Sequence, residues 1–161
     1  MRVLIVGGGI GGLLTALSLH HVGITDVQIL ESVQEIKPLG VGINVLPHAV
    51  RELTELGLAA EMEKIAVRTS DLTYVNAFGK TIWSEPRGLA AGYEWPQFSV
   101  HRGRFQMMLL DQVIQKFGRE KVVTGARLIS ERTVDGQVRV ETTAGSFEGD
   151  LLVAADGIKS S

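Results

Sequence analysis

The chain contains no cysteine, which excludes a disulfide framework, a thiolate metal site and a cysteine nucleophile. It also lacks an excess of either charge. Its 16 basic residues face 18 acidic ones, a formal net charge of −2, so it has no basic footprint of a dedicated nucleic-acid binder. No apolar run reaches the roughly 18 residues of a membrane span. The first strand-like run opens at Val3, with no space before it for a cleaved leader, and the expected setting is cytoplasmic. The four histidines have no metal-like spacing and no Ser-His-Asp arrangement is legible, so no metal site and no catalytic residue is assigned. What is abundant is glycine: 19 of 161 residues, about 12% against a typical ~7%. With 45% apolar and 21% charged residues, the remaining composition is that of a globular domain.

The first third reads as β-α-β. Val3–Val6 is a continuous apolar run, as expected of a strand buried on both faces. After Gly7–Gly12, residues Leu13, Ala16, Leu17 and His20 fall at helical spacing, and Gly23 offers a stop. Val27–Leu30 reads as a second strand, parallel to the first through a right-handed crossover. In the middle, Pro38–Gly42 is a glycine-containing loop and Pro47 opens a helical pattern that stops at Gly57. Asp71–Ser84 reads as a hairpin around Phe78-Gly79, and Pro86–Pro96 as a loop. Arg102–Phe117 is a helix with Phe105, Met108, Leu109, Val113 and Phe117 on one stripe. The last third is β-rich: a short strand at Lys121–Val123, a meander of Arg127–Thr133, Gln137–Thr143 and Ser146–Gly149, and a final apolar strand at Leu151–Ala154. The chain stops soon after that strand, so a fragment of a longer polypeptide is expected.

Gly7, Gly9 and Gly12 satisfy the dinucleotide fingerprint G-x-G-x-x-G. Gly7 permits the tight turn out of the strand, Gly9 lets a pyrophosphate approach the backbone, and Gly12 allows close packing of helix on strand. Ile10 and Gly11 complete the loop, whose N–H groups stand at the positive end of a helix. Glu31 closes the second strand 19 residues after Gly12 (31 − 12), near the ~20 expected of the acid that holds a ribose hydroxyl. The unit by itself leaves FAD and NAD both open, and the carboxylate disfavours a 2′-phosphate.

Three segments separate these alternatives. They are the glycine loop with Glu31, the run Val100-His101-Arg102-Gly103-Arg104-Phe105-Gln106, and Asp150–Ser160 with its Asp156-Gly157 turn. Together they resemble the single-component FAD-dependent aromatic hydroxylases, the class A flavoprotein monooxygenases. Pro38–Asn44, Trp83–Gly88 and His101–Gly103 are further similar to phenazine-modifying members of that family. The resemblance implies a Rossmann-type α/β FAD-binding domain of the glutathione-reductase-like kind, with a parallel sheet, crossover helices and a three-strand antiparallel meander. It spans residues 1–161, with the 71–84 hairpin as the start of a substrate-domain sheet. FAD is then the implied cofactor, NAD(P)H the transient co-substrate, and dioxygen and a small aromatic molecule, phenazine- or salicylate-like, the reactants. Arg102 and Gln106 are implied at the FAD phosphates and ribityl chain. Asp156 and Gly157 are implied beside them, Gly42 (with Gly40 and Ile43) against the flavin ring, and Leu128 at the adenine through its backbone. The sequence departs from the family in lacking its second, Gly-Asp motif and most of its substrate sheet. Two expectations follow: an inactive fragment, and self-association through the hairpin's open edge. An NAD-dependent dehydrogenase or a non-catalytic nucleotide-binding module would share the glycine loop but assign no role to Arg102 or Asp156.

Overall fold

The computed structural model describes residues 1–158. Lys159 and Ser160, the tail of the Asp-Gly segment, lie outside the described residues, as does Ser161. The elements run β1 (Val3–Val6), α1 (Ile10–His21), β2 (Val27–Leu30), β3 (Gly42–Val45), α2 (Pro47–Glu55), α3 (Ala59–Ile65), β4 (Ala66–Thr69), β5 (Asp71–Val75), β6 (Thr81–Pro86), β7 (Gln97–His101), α4 (Arg102–Phe117), β8 (Val122–Val123), β9 (Leu128–Val134), β10 (Gln137–Thr142), β11 (Gly145–Gly149) and β12 (Leu151–Ala154). They form two compact units, one of Met1–Pro38 with Gln106–Ser161, the other of Leu39–Phe105. Among the described residues no helix is long and apolar enough to cross a membrane.

The first unit is built on a four-stranded parallel sheet in the order β12-β1-β2-β8. Being central, β1 is covered on both faces, which is why it reads as an unbroken apolar run. Val3, Leu4 and Ile5 are fully buried. Side chains alternate along the strand. Ile5 points toward α1, where its Cγ2 faces Gly12. Leu4 and Val6 point the other way, into a cluster with Leu30, Ala126 and Val140, against which Leu128, Val138, Phe147 and Leu152 pack. The antiparallel meander β11-β10-β9 thus closes the second face of the sheet. His20, read as a packed residue of the α1 stripe, is half-buried and meets Phe117 edge-on at 5.2 Å.

The second unit holds an antiparallel sheet in the order β3-β7-β4 and a separate two-stranded ribbon, β5-β6. Val45, Phe98 and Val100 of the sheet and Val50, Leu53, Leu58 and Met62 of the helical segment are buried. On the ribbon, Tyr74, Val75, Ile82 and Trp83, with Phe78 at its tip, are exposed.

The second unit departs most from the sequence reading. β3, β4, β7 and α3 are not among the expected elements. The central strand β7, which ends at Val100-His101, is absent from the sequence reading, whereas the helix begins at Arg102 as its apolar stripe predicts. The reason is visible in β7, where polar Gln97 and Ser99 separate Phe98 and Val100, so that no apolar run marks the strand. The hairpin extends to Pro86, Lys121 belongs to a 3-10 turn ahead of β8, and the meander strands shift by a residue at their ends.

Asp150 ties the start of β12 to the chain's beginning. Its Oδ2 accepts the Arg2 backbone N–H at 2.7 Å, and its own N–H donates to the Arg2 carbonyl at 2.8 Å. The Arg2 N–H first, then the Gln137 amide, hold its carboxyl below the ordinary carboxylate range. A lowered folded-state pKa means that this contribution is complete above the ordinary value and is lost as pH falls through the folded one. Asp150→Asn should therefore lower stability at neutral pH, where the carboxylate's contribution is complete, and change it little in acid below the folded pKa, which flattens the acid side of a stability–pH curve measured by urea unfolding. For the core, Leu4→Ala should cost about 2–5 kcal/mol in the same assay, because Leu4 is fully buried in the cluster beneath the meander.

Candidate cofactor-binding site

The parallel sheet puts the turns that follow β1, β2, β8 and β12 at one edge. From β1 the strands run outward to β2 and β8 on one side and to β12 on the other. The β1/β12 boundary is thus a topological switch point, where doubly wound sheets hold ligands outside the carboxyl ends of their strands.

The glycines of the β1–α1 turn meet different constraints. Gly7 has φ +110°, and a Cβ on it would overlap the Ala155 carbonyl, so the turn lies hard against the Asp156 segment. A Cβ on Gly12 would overlap the Gly7 carbonyl oxygen and press on Ile5. Gly9 and Gly11, by contrast, have nothing within 4 Å of where a Cβ would stand. Gly9 is the residue ahead of α1, in extended conformation (φ −75°, ψ 179°) that any residue can adopt. Its carbonyl accepts the Leu13 N–H at 3.0 Å. The N–H groups of Gly9, Ile10, Gly11 and Gly12 have no partner elsewhere in the chain among the described residues, as the first turn of a helix requires. The loop therefore offers unpaired donors at the positive end of a helix, beside a surface left open by two missing side chains. That is a cradle for an anionic group such as a pyrophosphate.

Glu31 is half-buried and serves the protein itself. Its Oε2 accepts the Gly8 N–H at 2.6 Å, and its Oε1 accepts the Val33 N–H at 2.9 Å and the Ser32 hydroxyl at 3.0 Å. Each carboxylate oxygen has two acceptor positions, so Oε2 keeps one for a further donor such as a ribose hydroxyl. Gln106, in α4, donates its Nε2–H to the Gly8 carbonyl at 2.9 Å. Gly8 is thus held at both its N–H and its C=O, and a Cβ there would stand 3.1 Å from Glu31 Oε2 and from Ile36 Cδ1.

Asp156 is half-buried next to the Gly7 turn, and Gly157 is exposed with φ +85°. Ala155 N–H donates to the Val6 carbonyl at 2.8 Å, which keeps this segment in line with β1. Leu128 opens β9 opposite Thr142, and its side chain packs into the core cluster.

The second unit carries the other candidates. The Arg102 backbone N–H donates to the Val41 carbonyl at 2.9 Å, and the aliphatic stem of Arg102 lies over Gly40. A Cβ on Gly40 (φ +127°) would sit 3.3 Å from Arg102 Cβ and 3.4 Å from its Cδ. The guanidinium has no acidic partner among the described residues, so its charge is available to an anion. Arg104 is exposed, and its N–H is capped by His101 Nδ1 at 3.4 Å. Gly42 opens β3 opposite His101, exposed, with half-buried Ile43 next to it.

Sequence reasoning named Glu31 and Gln106 but missed Gly8 and the hydrogen bonds by which both hold it. The fingerprint leaves that position free, and Gln106 lies 98 residues away. The one available signal was the uninterrupted Gly7-Gly8-Gly9, a glycine more than the fingerprint asks for.

The FAD binding domain family model matches residues 1–161. The phenazine 1,6-dicarboxylic acid hydroxylase of Lysobacter antibioticus is 45% identical over 165 residues, covering 98% of this chain and 40% of that protein. The FAD-dependent urate hydroxylase of Klebsiella pneumoniae is 33% identical over 175 residues, covering 99% and 41%. The structure of Klebsiella pneumoniae HpxO complexed with FAD and uric acid superposes with a TM-score of 0.84 at 31% identity, over 98% of this chain and 39% of that one. The chain belongs to the FAD binding domain family of flavoprotein hydroxylases and monooxygenases, which are oxidoreductases, and its cofactor is FAD. It spans about 40% of the length of the curated relatives it matches.

The cradle separates two kinds of glycine, and the separation can be measured. Gly9→Val should stay folded, losing at most the ~1 kcal/mol of a poorer helix N-cap, since its backbone is ordinary and its Cβ position open, but should lose most of its FAD affinity. Gly12→Ala should lose stability, because backbone must move. Calorimetric FAD titration and thermal melts read the two effects separately, and similar behaviour of the two variants would contradict this assignment.

Proposed function

We propose that the chain is the FAD-binding part of an NAD(P)H-dependent monooxygenase that hydroxylates a small aromatic substrate, phenazine- or salicylate-like, in the cytoplasm. The observation that carries the reading is the open backbone at Gly9 and Gly11, with unpaired N–H groups, at the switch point of a parallel sheet. The names of the relatives support an aromatic substrate, and the 45% identity to a phenazine hydroxylase favours a fused-ring acid of that kind. When bound, FAD supplies the redox chemistry, taking electrons from NAD(P)H and delivering one oxygen atom of dioxygen to the ring, the other leaving as water.

The residues of this chain bind and orient. The N–H groups of Gly9–Gly12 and the Arg102 guanidinium would meet the pyrophosphate, where charge-assisted hydrogen bonds are strong. Glu31 would accept from the ribose with its remaining position. Asp156 and Gly157 would approach the ribityl chain, Gly42 the ring, and the Leu128 backbone the adenine. Hydroxylation itself we assign to the longer protein of the relatives' length. The β5-β6 ribbon would be the start of its substrate-side sheet, and its exposed apolar residues would favour self-association of the 161 residues alone.

The test mixes the protein with FAD, removes free flavin, and reads the visible absorbance and the identity of the retained cofactor. NAD(P)H oxidation with phenazine carboxylates is then assayed on the 161 residues and on the longer protein. Arg102→Met should weaken FAD binding and reduce its salt dependence, and Arg104→Met should do much less, since only Arg102 has its stem seated on Gly40. Equal effects of the two substitutions would place the phosphate elsewhere.

A further inference from the structure

Three successive peptides leave β1, and two are anchored by backbone or carboxylate contacts. The Gly8 N–H, in the 7–8 peptide, donates to Glu31, and the Gly9 carbonyl, in the 9–10 peptide, accepts from Leu13. The peptide between them, Gly8-Gly9, has one hydrogen-bond partner among the described residues, the Gln106 side chain at the Gly8 carbonyl. A carbonyl only accepts, so the Gln106 amide nitrogen must face it. No peptide here is cis, and a trans peptide turns its C=O and its N–H to opposite sides. With the carbonyl drawn to Gln106, the Gly9 N–H is turned away from it, and it has no partner among the described residues.

We infer that Gln106 is a positioning residue for the cofactor site: it sets the Gly8-Gly9 peptide so that the Gly9 N–H joins the first-turn donors of α1 facing a diphosphate. Glycine on both sides leaves this peptide easy to rotate. Rotated, it would present a carbonyl oxygen to the phosphate and repel it. The role differs from a direct contact of Gln106 with the ribityl chain, and it rests on the FAD reading above.

The two roles separate by ligand. ADP carries the diphosphate without ribityl chain or flavin. Gln106→Met keeps the bulk and removes the donor. If Gln106 positions the peptide, FAD and ADP weaken by the same factor, about tenfold for one charge-assisted hydrogen bond misaligned. Weaker FAD with unchanged ADP would overturn the inference in favour of direct contact, and unchanged affinity for both would overturn it outright. A chain that binds neither ligand before substitution would sink the FAD reading, and this inference with it. If the variant does not fold, the unaltered protein still decides: NMR scalar coupling across the hydrogen bond from Gln106 Nε2 to the Gly8 carbonyl carbon is expected both free and with ADP, and its absence would overturn the inference.

Discussion

The contact between Gly12 and the Gly7 carbonyl is the constraint on which the site depends. No Cβ fits between them, so the first turn of α1 closes directly on the end of β1. That closeness aims the unpaired N–H groups of the helix start at the sheet's carboxyl edge, where the segments of Glu31 and Asp156 also emerge. A helix displaced by one methyl group would keep its dipole but lose this convergence. Burial supports the arrangement from beneath: β1 is covered by α1 on one face and by the meander on the other, so the strand end is a rigid platform.

Within one short turn, glycine solves distinct problems. At Gly7 it is backbone conformation together with contact against Ala155, and at Gly12 contact alone. At Gly8 it is room for Glu31 and Ile36. At Gly9 and Gly11 the protein itself demands nothing, and the empty space faces outward. A turn selected only for tightness would not need its two most accessible positions bare. A turn that must admit an anion to its backbone would. Glu31 adds a second layer: the carboxylate suited to a ribose also holds the loop through Gly8, so cofactor recognition and loop geometry share a side chain.

Much of the first unit is legible in the sequence because its signals are local. Val3–Val6 and Leu151–Ala154 are apolar runs that coincide with the observed strands, the first meander turn is Asp135-Gly136 and the second, Thr143-Ala144, directly precedes Gly145, and Arg102–Phe117 is a strong helical stripe. The sheet of the second unit is less legible because β3, β4 and β7 are only four or five residues long, carry no continuous apolar run and pair across long separations, as β3 does with β7. The short α3 follows Gly57 closely, where a glycine stop reads as the end of helical structure. In the site, the fingerprint exposes Gly7, Gly9, Gly12 and Glu31. The Gln106 link to Gly8 depends on tertiary placement of α4, and no local pattern encodes it.

The central claim is that the backbone N–H groups of Gly9–Gly12 receive the cofactor's diphosphate. The most direct measurement is an amide-resolved NMR titration of the protein with ADP, beside one with riboflavin, which has no phosphate. The account predicts that ADP produces its largest shifts at the amides of Gly9, Ile10, Gly11 and Gly12, and that riboflavin leaves them in place. Saturable ADP binding with those four amides unmoved would contradict it.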